Sequence, residues 1–142
     1  MNPKSAYRES TLYSTVWVDK EGWTGEAYSI PSIPAAEAYL KEFRAGPFAD
    51  VLSLKLAYFY DDLYKVIQQE LNREARDFKY DCFAEHLTKR PLAEQLASAR
   101  SEAIKYYRLA PLARSRDESA AQAFASMTAG KPDQYSWHYC PD

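Results

Sequence analysis

Cysteine and histidine are scarce in this chain, two of each, and they fall into two close pairs. Cys82 and His86 are four apart, so on a helix they share a face within reach of one ion. His138 and Cys140 are two apart, so in an extended segment they share a face as well. Two thiolates and two imidazoles make a tetrahedral zinc set, which would anchor the C-terminal tail to the preceding helix. The spacing departs from the usual paired-cysteine opening of a zinc finger, because each pair is mixed. The same residues also admit a nucleophilic pair, Cys82 with His138 or Cys140 with His86, provided a third group orients the imidazole. Neither cysteine carries the flanks of a known catalytic thiol. The expectation is therefore no cofactor and no catalytic residue, with zinc or Cys/His chemistry as the alternative.

Paired carboxylates stand at Asp61-Asp62 and at Glu70 and Glu74, one helical turn apart. An acid–base dyad needs a cleft that separates the two environments. Glu70 and Glu74 lie among Arg73, Arg76 and Asp77, which reads as a solvated face with local ion pairing. Asp61-Asp62 reads as facing water or capping a helix. The P-loop, the dinucleotide fingerprint, the nucleophile elbow and the zinc-protease helix are absent, and four glycines leave no Gly-rich phosphate cradle.

Two aromatic stretches are candidates for binding. Lys105-Tyr106-Tyr107-Arg108, followed by Arg114 and Arg116, could meet phosphates while a tyrosine stacks a base. The competing reading turns Tyr106 and Tyr107 inward at a helix end, where cations suit the helix dipole. In the tail, Tyr135, Trp137 and Tyr139 alternate, so an extended strand would present them together as a partner-binding ladder. Tyrosine is over-represented, with 12 in 142 residues. It gives a large, stiff contact surface at low entropic cost, as protein interfaces favour. Tyr135, Trp137, Tyr139, Tyr106, Tyr107 and Arg108 are the expected partner contacts.

Composition bounds the class. An apolar fraction of 46% and a charged fraction of 27% suit a globular domain with its own core. Net charge is −2, unevenly spread. Residues 1–72 hold 7 Lys/Arg against 10 Asp/Glu, residues 73–116 hold 10 against 6, and residues 117–142 hold 1 against 4. The mildly basic middle supports a nucleic-acid surface only weakly. No apolar run approaches the roughly 20 residues that cross a bilayer. The opening MNPKSAYRESTLYS lacks the apolar segment of a secretory signal, so a cytoplasmic location without a membrane partner is expected.

These residues must be positioned by elements, of which one dominates. Pro47 to Arg76 holds the densest apolar run. Phe59, Leu63, Val66, Ile67 and Leu71 recur at three and four, which makes a helical stripe. Leu52 to Tyr60 also alternates as a strand would, yet no turn residue interrupts Ala49 to Ala75, and one long helix over 47–76 is expected. Thr11 to Asp19 reads as a β-strand paired with Trp23 to Ser29 across Asp19-Lys20-Glu21-Gly22. A short helix follows Pro34 and closes at Ala45-Gly46, with Ala35, Tyr39, Leu40 and Phe43 inward. Asp81 to Thr88 reads as a short helix, Pro91 to Leu109 as a longer one, and Ser115 or Asp117 caps a last helix that Gly130 ends.

The expected fold is α+β, mainly α: an N-terminal β-hairpin packed on a bundle of about four to five helices around the long central helix. One domain is expected over 1–142, comprising the hairpin (11–29), the helical body (34–128) and the aromatic tail (129–142). The expected function is a non-catalytic protein-binding module of inhibitor, immunity or adaptor type that acts by surface occlusion. The alternatives are a nucleic-acid-binding protein using the basic 100–116 segment, and a small zinc-binding protein or Cys/His enzyme.

Overall fold

The structure, a computed structural model, describes residues 3–21, 27–72 and 91–131. Among them are six helices and one two-stranded antiparallel sheet: α1 (Pro3–Ser14), β1 (Trp17–Glu21), β2 (Ala27–Pro31), α2 (Ile33–Glu42), α3 (Ala49–Asn72), α4 (Leu92–Arg108), α5 (Pro111–Ser115) and α6 (Glu118–Thr128). The mainly helical α+β class and the N-terminal hairpin are as the sequence led us to expect. No helix among the described residues is long and apolar enough to cross a membrane.

The central helix α3 runs for 24 residues, about 36 Å at 1.5 Å per residue. From Leu52 to Ile67 all but Lys55, Tyr58 and Tyr60 are buried, because other elements cover it on several sides. Leu52, Leu56, Phe59, Val66 and Ile67 are completely buried, and a side chain of this kind contributes about 1.5–3 kcal/mol when taken from water. The strand alternative for Leu52 to Tyr60 is thereby settled in favour of helix.

α4 packs more extensively on α3 than any other element does. Ala99 and Ala103, one turn apart and both buried, keep the two backbones close. Tyr106 and Tyr107 then fill the wider end, with Tyr106 stacked on Tyr60 at 5.8 Å between centroids. Leu92 and Leu96 of α4 are only half-buried, and Gln95 takes the interior position.

The hairpin differs in place from the expected one. β1 pairs with β2 in the register Trp17↔Pro31 through Glu21↔Ala27. Asp19, Lys20 and Glu21 are therefore strand residues and not the turn. Residues 3–14 form α1, where the sequence suggests a strand over 11–14 and no element over 3–10. Local β-propensity at Thr11 loses to packing that only the folded chain supplies. Tyr13 stacks on Phe48 at 4.4 Å between centroids, and the Tyr39 hydroxyl donates to Glu9 at 2.6 Å. The Ser14 and Thr15 hydroxyls donate back to the carbonyls of Thr11 and Leu12, both at 2.7 Å, and satisfy the end of α1.

Helix ends are closed by adjacent caps, by the backbone and, at α5, by a side chain from another helix. Asp117 caps α6 through the amides of Ser119 and Ala120 and also accepts the Tyr58 hydroxyl at 3.1 Å. Gly130, at φ 72°, ends α6 in the left-handed conformation. The amides of Gly130 and Lys131 then return to the carbonyls of Met127 and Ser126. α5 has no cap of its own, and Asp50 of α3 accepts from the amides of Leu112 and Ala113.

Candidate functional site

Two groupings of polar side chains are candidates, and burial separates their roles. The first is inside the bundle. Asp61 and Asp62, expected to face water or cap a helix, are 1% and 0% exposed, and Lys65 is 5% exposed. The Lys65 ammonium lies 2.8 Å from one Asp61 carboxylate oxygen. The Tyr107 hydroxyl donates to the other at 2.6 Å. Burial first, and then the Asp61 charge and bond, hold the Tyr107 phenol protonated far above its ordinary range. Desolvating such charges is costly, and at Asp61 the Lys65 ammonium and the Tyr107 hydroxyl offset that cost. Asp61 and Asp62 are almost completely shielded from water. The cluster's role is to fix the register of α3 against α4, since a turn's slip would strand the Asp61 carboxylate.

The basic stretch expected to face nucleic acid is largely spent on the fold. Arg100 donates to the carbonyls of Met127 and Thr128 at the end of α6, at 3.3 and 3.1 Å. Arg114 donates to the Tyr107 carbonyl at the end of α4, and its guanidinium lies 4.4 Å from the Phe124 ring centroid. Both arginines sit where the helix dipole favours a cation. Lys105 lies 3.2 Å from Glu102 and 4.6 Å from the Tyr106 centroid. Arg108 and Arg116 remain exposed.

The second grouping is open. A cleft of about 740 Å³ lies between α2 with the connector that follows it and the corner where α3, α4 and α5 meet. Its apolar lining is Leu40, Ala45, Ala49, Leu109, Pro111 and Leu112, with Tyr106 and Ser53 at buried positions. Leu109 and Leu112 are 52% and 61% exposed, two large apolar side chains side by side on the cleft wall. The charged lining is Glu37, Lys41, Arg44, Asp50 and Lys105. Asp50 is committed to the α5 amides, whereas Lys41 and Arg44 are exposed and make no ion pair among the described residues.

The geometry is set by local sequence. Pro111 cannot continue α4, so the chain turns at Leu109-Ala110 and restarts as α5. That break throws Leu109 and Leu112 outward beside Tyr106. Opposite, Gly46 lets the connector pass against the Glu9 carboxylate, which a Cβ there would strike.

Of the expected partner contacts, Tyr106 and Tyr107 are interior residues, 2% and 0% exposed, and Arg108 is at the surface. The inward reading of the two tyrosines holds because α3 supplies Tyr60 and Asp61 as their partners. The tyrosine surplus follows the same course: Tyr13, Tyr39, Tyr58, Tyr60 and Tyr64 are buried or half-buried, and Tyr7 is the mostly exposed one among the described side chains. Tyr135, Trp137 and Tyr139 lie outside the described residues, as do the proposed metal ligands Cys82, His86, His138 and Cys140 and the helix expected at 81–88. The cleft residues Lys41, Arg44, Leu109 and Leu112 escaped the sequence reading. Their one signal was two leucines flanking a proline in a helix break, where no apolar stripe needs them.

Comparison with known proteins found no matching family model and no similar curated protein or solved structure.

Proposed function

We propose that this chain is a protein-binding module of the inhibitor, immunity or adaptor kind, which acts by occluding a surface on its partner and uses the α2/α3–α4–α5 cleft as its contact face. The observation that carries the reading is the pair Leu109 and Leu112, held half in water on the wall of an open cleft. Large apolar side chains at a concave site with a charged border are the pattern of an interface core and its rim. The support thus differs from what the aromatic content suggested, since among the described residues the rings are mostly used to build the interior.

The test is affinity capture from the native cell with the full chain as bait, in parallel with Leu109→Asp/Leu112→Asp. Both side chains are exposed, so the variant is expected to keep the wild-type melting temperature while losing the captured protein. A partner retained equally by the variant removes the cleft from the reading. Capture that disappears on nuclease treatment replaces the reading with the nucleic-acid alternative.

A further inference from the structure

We draw no further inference here: the strongest candidate, the cleft between α2 and the corner of α3, α4 and α5, mixes Lys41 and Arg44 with Glu37 and Asp50 along its border, and nothing in the structure shows what covers it.

Discussion

Tyr107→Phe isolates the buried bond that ties α4 to α3. The substitution deletes one oxygen and keeps the ring, so the edge contact to Tyr58 at 6.1 Å and the contact to Phe124 at 5.7 Å persist. What is lost is a 2.6 Å bond to a buried carboxylate. A hydrogen bond to a charged group contributes about 1.5–3 kcal/mol, and the acceptor left behind is buried, so the expected loss is near the top of that range. With a urea slope of about 2 kcal/mol/M the midpoint falls by about 1 M or slightly more.

The pH dependence gives a second, independent signature. The phenol's folded pKa is raised above its ordinary value of 10.0, first by burial and then by Asp61. A raised pKa means that the folded chain keeps a proton which the unfolded chain releases. The bond's contribution is therefore fully present below pH 10 and declines as pH rises toward the folded value. The gap between wild type and variant should be constant from pH 7 to about 9.5 and then close by about 1.4 kcal/mol per pH unit. Urea titrations followed by circular dichroism at pH 7, 9 and 11 measure it, and the other tyrosines cancel in the difference. A loss below about 0.5 kcal/mol at pH 7, or a gap still undiminished at pH 11, refutes the reasoning.

Two further substitutions probe the ends of α6, beside the cleft tests above. Asp117→Ala removes both the amide acceptor and the partner of Tyr58, and should cost about 1–2 kcal/mol in denaturant titration. Asp117→Asn, which keeps a capping oxygen, should recover part of that loss. Gly130→Ala puts a side chain on a backbone at φ 72° with open space around it, so thermal unfolding should register only the left-handed penalty of about 1 kcal/mol.

Much of the helical body was legible because its signals are local. Uninterrupted apolar spacing through Ala49–Asn72, Pro91 before α4, Asp117 as a cap and Gly130 as a stop each act within one or two turns, and each stands where the residue types place it. α1 was not legible, since its sequence favours no helix strongly and its stability comes from Tyr39 and Phe48, some 30 positions away. The site was harder still. Asp61, Asp62 and Lys65 look like surface residues because charge normally seeks water. Their burial follows from α4 bringing Tyr107 to Asp61, 46 positions distant in the chain.

The amino-acid sequence by itself determined α2, α3, α4 and α6, the stops after α4 and α6, and that the chain has an apolar core of its own, because these depend on spacing and backbone freedom within a few residues. Tertiary structure alone decided which charges are spent and which are left over. Arg100, Arg114 and Asp50 vanish into helix ends, while Lys41, Arg44, Leu109 and Leu112 come together around a cleft. The physical reason is that a charge or a leucine is committed or free only relative to its neighbours, and those neighbours come from other helices.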